Sequence, residues 1–552
     1  MRMRSLQKVV REKTRFVTDS FYSFRLLVIS CSLDLCKAAA RPAHESQGML
    51  DVYRTKIARL KDRGELDEEI TEDSNMDWRA ERNPLKEYLA LLSLQSSYIP
   101  RAGELVLWVP SLEGELSWRK GKGRIQQYSQ KQSRWLGMPD WRAGVICQVP
   151  EEQVLLRDLV KTTPKKKSVN YSGFRIETFP DPSSRDEGCS SHYKYVPLKC
   201  IKPFNAWELF LADVDREKFH RSIEYALTVM SSFSLFNKFH FKGTWPNASI
   251  YSRGIFIGAE LLVVGDAVRL KAEGYSVDYG ARSRVTDIMV IESIRIKLTN
   301  CVDDARSDQL AAKYAVRIQG SVYTTSLGRA LGTAARDKRA PPKPMSHDEV
   351  VSAFQYVGMG AFGNWYPVHD KVQVSPDMIL GRCYEYEAME YLFDSHRFDL
   401  DLHSVENARN YSSQVDKRIP EGKAWFWGDF RTQTLAINSL NGQDVRYSRE
   451  TRDGTLWSNC LRLIDRPSST VDPAPELDRR PHKSHSNFRK LNKTSSLVSR
   501  GLGTSGPVDP SEKTKNEYVD TEDESEEYGR GETEETASGE RPRKSKKIKR
   551  KR

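Results

Sequence analysis

This 552-residue chain is poor in the patterns by which enzymes and secreted proteins usually announce themselves. Its eight cysteines (Cys31, Cys36, Cys147, Cys189, Cys200, Cys301, Cys383, Cys460) form no C-x-x-C pair and no spacing with histidine. That argues against a zinc module or a disulfide framework and fits a reducing compartment. No G-x-S-x-G elbow is present and no Ser/His/Asp or Cys/His constellation can be singled out, so no catalytic residue is expected. No apolar run is long enough to cross a bilayer, and no internal repeat is visible. The reading therefore expects no cofactor, no metal, no small-molecule substrate and no membrane partner.

Acidic residues are also in deficit, at 75 against 87 Lys and Arg, a formal charge of +12. Residues 508–540 carry 13 acids and 3 bases, whereas Arg541–Arg552 carries nine bases and no acid. These two blocks nearly cancel, so the excess belongs to the body of the chain and favours anionic partners by long-range attraction. The terminal cluster, Arg541, Arg543, Lys544, Lys546, Lys547, Lys549, Arg550, Lys551 and Arg552, reads as a nuclear-localisation signal.

Four regions are expected. Residues 1–48 pair a basic lead (Arg2, Arg4, Lys8, Arg11, Lys13, Arg15) with the short run LLVISC, imitating a presequence. The lead is too long and the run too broken, so a poorly ordered extension is expected. Residues 49–254 contain two helices (Met49–Glu65, Pro84–Gln95), short strands (ELVLWV, GELSWR, GRIQQYS, AGVICQV) in a small twisted β module, and a mostly helical stretch from Pro203 to Lys238. Within it, Ala226, Val229, Met230 and Phe233 share one helical face, leading into an aromatic loop. Residues 255–465 hold GAELLVVG, DAVRLK, DIMVIESIRI, YAVRIQGSVYTT, DMILGRCYEYE and GKAWFWGDF as strands. From 466 to 552 the composition turns to Pro, Ser and charge, which cannot offset ordering entropy, so a disordered tail is expected. The fold class is α+β, strand-rich and multidomain.

Three groups of side chains invite a functional reading. Arg119, Lys120, Lys122 and Arg124, with Trp118 and Tyr128, make a basic–aromatic loop suited to phosphate; Lys165, Lys166 and Lys167 add a second basic loop. Trp365 and Tyr366 follow a glycine-rich turn. Trp425 and Trp427 are two apart on one strand and so share a face. Such pairs can cage a methylated lysine, although large aromatics are more often core filler. Finally, Gly358, Gly360 and Gly363 spell a formal G-x-G-x-x-G, but Trp365, Tyr366 and Pro367 follow at once where a dinucleotide site needs a helix. His396 and His403 with Asp394, Asp399 and Asp401 match no closed zinc spacing.

The segment Tyr225–Leu270, with GELVLWVPSLEGELSW (Gly103–Trp118), VNYSGFRIETFPDP (Val169–Pro182) and YVPLKCIKPFNAWELFL (Tyr195–Leu211), resembles the fungal cryptic-loci-regulator family of transcriptional-silencing proteins. The resemblance implies a bromo-adjacent-homology-like domain over 255–465, carried by GAELLVVGDAVRL, DIMVIESI, YAVRIQGSVYTT, NWYPV, ILGRCYEYEAMEYLF and WFWGDFRTQ. It implies a nuclear, chromatin-associated, non-catalytic scaffold in a complex that joins a remodeller to a histone deacetylase, with nucleosomes or DNA and fellow subunits as partners. Two other readings stay open: a nucleotide-dependent enzyme using the Gly358–Gly363 loop, and a sequence-specific DNA-binding regulator.

Overall fold

The computed structural model describes residues 52–71, 85–119, 124–166, 173–181, 193–212, 214–271, 285–304 and 309–416, with short stretches from 418 to 465. The expectations for residues 1–48 and 466–552 lie outside these. Among the described residues no helix is long and apolar enough to cross a membrane.

Helix α1 (Val52–Arg63) presents Tyr53, Ile57 and Leu60 on one buried face, as apolar residues at helical spacing should. Gly64 stops it at a φ of +77° and turns the chain into strand β1 (Glu65–Glu69). Helix α2 (Leu85–Leu94) follows. The small β module is then laid down as β2 (Leu105–Trp108), β3 (Glu115–Arg119), β4 (Arg124–Ser129), β5 (Arg134–Gly137), β6 (Arg142–Gln148), β7 (Phe174–Thr178), β8 (Tyr193–Val196) and β9 (Ile201–Pro203). Five of these pair antiparallel in the order β8-β7-β6-β2-β9, and β3-β4-β5 form a separate three-stranded sheet. Leu105–Trp108 are all buried, so this sheet is covered on both faces along β2.

After helices α3 (Trp207–Phe210) and α4 (Arg221–Leu227), the chain enters a long hairpin, β10 (Ser232–Thr244) and β11 (Asn247–Ile257). This corrects the expectation of a helical stretch running to Lys238 and an aromatic loop after it. Helical spacing of Ala226, Val229 and Met230 ends at the short α4; from Ser232 the alternation of a strand takes over, and the loop is the hairpin itself. The expected boundary between 254 and 255 falls inside β11, so one continuous strand links the two regions.

The main sheet is completed by β12 (Glu260–Val263), β13 (Ala267–Leu270), β14 (Asp287–Cys301), β15 (Ala311–Thr324), then helices α5 (Leu327–Arg336) and α6 (His347–Phe354), β16 (Tyr366–Val374) and β17 (Ile379–Arg382). Helix α6 starts on a capping box, Ser346 and Glu349, each bonding the other's backbone amide. Helices α7 (Tyr386–Phe393) and α8 (Leu402–Val415), strand β18 (Lys423–Trp427), helix α9 (Arg431–Leu435), the two-residue pair β19 (Ser439–Leu440) and β20 (Gln443–Asp444), and β21 (Arg462–Asp465) close the described chain. Its backbone order is β16-β15-β14-β11-β10-β18-β21, antiparallel except where β18 joins β10. The inner face gathers Phe233, Phe241, Ile250, Ile294, Ile296, Ile318 and Trp427 into a core capped by α1. A second core fills the β module and reaches α4, α7 and α8. The α+β, strand-rich class is as expected.

Candidate functional site

The aromatic residues proposed for a peptide cage lie in the interior. Trp365 is fully buried, donates Nε1–H to the Met359 carbonyl at 2.7 Å, and packs 4.8 Å from Phe354 between ring centroids. Tyr366, beginning β16, is buried beside it in sequence. Trp425 and Trp427 do share a face, but that face is the inner one. Trp427 stacks parallel to Phe233, and Trp425 donates to Asp377 Oδ1 at 2.6 Å. The cage is therefore corrected to core: each such ring removes roughly 150–250 Å² from water, Trp425 and Trp427 within the core of the main sheet and Trp365 within the cluster around Phe354 and Phe398.

The basic loops fare differently from one another. The Lys165 ammonium bonds the Asp158 carboxylate at 2.7 Å and the Gln153 carbonyl at 2.9 Å, so it staples its own loop. Lys166 is exposed. Arg119 donates to Gln126 Oε1 at 3.0 Å and lies 5.3 Å from the Trp135 ring centroid. Lys120, Lys122, Lys167, the Arg124 side chain and the terminal cluster lie outside the described residues.

The glycine-rich turn does not have phosphate-binding geometry. Val357–Phe362 is a 3₁₀ turn after α6, and the chain passes Gly363, at a φ of +116°, into strand β16 rather than a helix. A nucleotide loop needs a strand before it and a helix N-terminus after it. The histidine–aspartate run is used for structure: Asp401 forms a buried bidentate pair with Arg269, Asp399 pairs with Arg397, and His396 stacks on Tyr386 at 3.7 Å. The described cysteines Cys147, Cys200, Cys301 and Cys383 are buried thiols.

Where the β module meets the main sheet, a buried ionic network joins them. Arg101 holds Asp266 through two hydrogen bonds, at 2.6 and 2.8 Å. Glu104 pairs with Arg382 at 2.7 Å and accepts the Leu261 amide at 2.9 Å. Glu260 accepts from Tyr384 at 2.8 Å and from the Arg382 amide at 3.0 Å. Arg431 reaches the Gly103 carbonyl at 2.9 Å, and Gly103 itself takes a φ of +86° against the Phe256 ring, where a side chain would collide. Burial raises the pKa of Glu260, with Arg382 pulling the other way. Burial opposes the charge on Arg382 too, but Glu104 and Glu260 raise its pKa above the ordinary value. Nothing in the spacing of these residues signalled the network, because its members come from segments far apart in sequence.

The outer face of the main sheet carries the feature that sequence reading missed. On β14, Arg295 and Lys297 alternate with buried Ile294, Ile296 and Leu298; on β15, Lys313 and Arg317 lie on the same outer surface as neighbouring polar positions. Pairing sets Tyr251, Arg295 and Arg317 in one cross-strand row. Lys242, Ser249 and Lys297 form the next, and Thr299 lies opposite Lys313. Arg295 donates to Tyr251 Oη at 3.3 Å and Gln373 Oε1 at 3.0 Å. Lys242, Gly243, Asn247, Ser249, Lys297 and Thr299 border an open groove of about 320 Å³. At its far edge Asp67 pairs with both Lys242 and His240. The alternation I-R-I-K-L was legible; that its basic side faces water beside that of β15 required the register.

A strand-rich α+β protein built on one eleven-stranded sheet, with a β module docked on it, is the class these features define. Residues 251–385, from within β11 to just past β17, match the family model of the transcription-silencing protein Clr2. No curated protein matches the chain. Among solved structures, one described as Clr2 bound to the Clr1 C-terminus aligns over 61% of this chain and 68% of its own, at 14% identity and a TM-score of 0.28.

Proposed function

We propose that this protein is a non-catalytic scaffold of a histone-deacetylase silencing complex, acting in the nucleus on chromatin to promote heterochromatic transcriptional silencing. The observation that carries the reading is the family match over 251–385, since that segment supplies most of the main sheet. The reading of 255–465 as a bromo-adjacent-homology-like domain belongs to the same proposal. The ionic junction between sheet and β module supports it as well. A platform that holds partners in fixed relation gains from rigid connections between its parts, and buried hydrogen-bonded ion pairs specify one docking geometry. Its weak individual contacts with nucleosomes would be combined by avidity.

The deciding experiment is affinity purification of the tagged chain from its native cells. A histone deacetylase and a remodelling ATPase are expected among the stoichiometric companions. Recovery of the protein alone, or with metabolic enzymes only, would remove the basis of the reading.

A further inference from the structure

Like charges directly opposite on neighbouring strands destabilise a sheet, yet Arg295 and Arg317 are paired in register on the outer face. Lys297 lies two residues along β14 from Arg295, and Lys313 lies four along β15 from Arg317. With about 3.4 Å per residue and 4.8 Å between strands, these four cations occupy a strip roughly 14 Å long and 5 Å wide. Arg295 is tied to Tyr251 and Gln373, but a water-facing strand position does not by itself require a cation. Alternating polar residues of either sign, or none, would satisfy the water-facing side equally well.

The groove beside the strip adds neutral donors. Asn247, Ser249 and Thr299 border it, and Gly243 leaves its wall bare. Hydroxyls and amides set among Lys and Arg are the donors that meet phosphate oxygens in nucleic-acid backbones, whereas base recognition needs a helix or ribbon able to enter a groove. Carboxylates stand at the margins of this face: Glu65, Asp67 and Glu69 alternate along the β1 edge, Asp67 bound to Lys242 and His240, and Glu292 lies at the other end, accepting from Ser321. They bracket the strip without dividing it.

We infer that the outer face of β11, β14 and β15 is a sequence-independent binding surface for the sugar–phosphate backbone of duplex DNA. Arg295, Lys297, Lys313 and Arg317 meet the phosphates, and Ser249, Asn247 and Thr299 supply neutral hydrogen bonds. One strand of a duplex presents a phosphate about every 3.4 Å of rise, so a strip of that length spans about three or four. The inference rests on the chromatin reading above and gives it a particular surface. Companions missing from the purification would sink that reading, whereas the experiment below bears on the face itself.

The full chain is titrated against a fluorescently labelled mixed-sequence duplex of about 20 base pairs, between roughly 50 and 200 mM KCl, where each phosphate contact contributes about −0.9 to the slope of log K against log salt. Alongside it run Lys297→Glu/Lys313→Glu/Arg317→Glu and the gentler Lys297→Gln/Lys313→Gln, whose folding is checked by circular dichroism and melting. The triple change is expected to weaken binding at least tenfold at low salt and flatten the slope by about three; the double change should flatten it by about two. If the triple variant does not fold, the double variant decides. Wild-type affinity and slope in the folded variants would overturn the inference. So would displacement of the wild-type chain from DNA by polyglutamate of equal charge at equal concentration, which would assign the face to acidic protein.

Discussion

Lys202 sits on β9 opposite Leu107, almost wholly buried, where it borders a cavity of about 20 Å³ together with Tyr98, Glu104, Glu260, Arg382 and Tyr384. Burial pulls its pKa down to about 8 from an ordinary 10.5. The sign follows directly. Below pH 8 the ammonium is charged in both states and the folded state bears the whole cost of burying it. As pH rises from 8 to 10.5 the folded lysine releases its proton first and that cost disappears. Lys202→Met should therefore stabilise the protein at pH 7, by about 3 kcal/mol at most, and this advantage should shrink by pH 10. Thermal melts of both proteins at the two pH values check it, and a Met variant that melts lower at pH 7 refutes it. The tryptophans teach the opposite lesson at the same scale. That Trp425 and Trp427 point the same way followed from strand geometry alone, whereas which way they point depended on Phe233 and Tyr314 lying across from Trp427.

At the scale of elements, the junction between β2 and the β12–β17 edge of the main sheet joins two regions that sequence alone separated. Arg382 closes β17 and meets Glu104, just before β2, with both side chains almost fully buried. Removing one member of such a pair strands the other charge in a medium that cannot solvate it, at about 3–5 kcal/mol. Arg382→Met is expected to lose that much in urea unfolding, because Glu104 and Glu260 then remain buried without it. Glu104→Leu/Arg382→Met should recover part of the loss; a double variant no more stable than the single one would show that the pair is not what holds the junction. Most strands were legible here: the period of two in YAVRIQGSVYTT and DIMVIESIRI located β15 and β14, although β14 runs on past Ile296 to Cys301 and β15 begins at Ala311, before Tyr314. The segment from Val229 to Trp245 was not, because its small and aromatic residues suit either period until the partner strand β11 is in place.

Across the whole molecule, the positive excess of the body suggested polyanions without saying where they bind. The basic loops singled out from sequence are local clusters, whereas the strip on the main sheet is assembled from β14 and β15 by pairing. Binding of intact nucleosomes by the full chain should accordingly weaken steeply and linearly in log K against log salt, with no discrete footprint on the DNA. Equal affinity at about 50 and 200 mM salt would remove the electrostatic account, and a sharply bounded protected site would favour a sequence-specific regulator.

The sequence by itself determined the strand-rich class, the alternation within each long strand, the absence of recognisable catalytic signatures and the sign of the net charge, because these depend on local periodicity and composition. Only the tertiary structure decided that the paired tryptophans are core, that Arg101 with Asp266 and Glu104 with Arg382 weld the β module to the main sheet, and that Arg295, Lys297, Lys313 and Arg317 share one outward face. Contacts between residues on different elements are set by which strand pairs with which and in what register, and no local pattern of side chains encodes that choice.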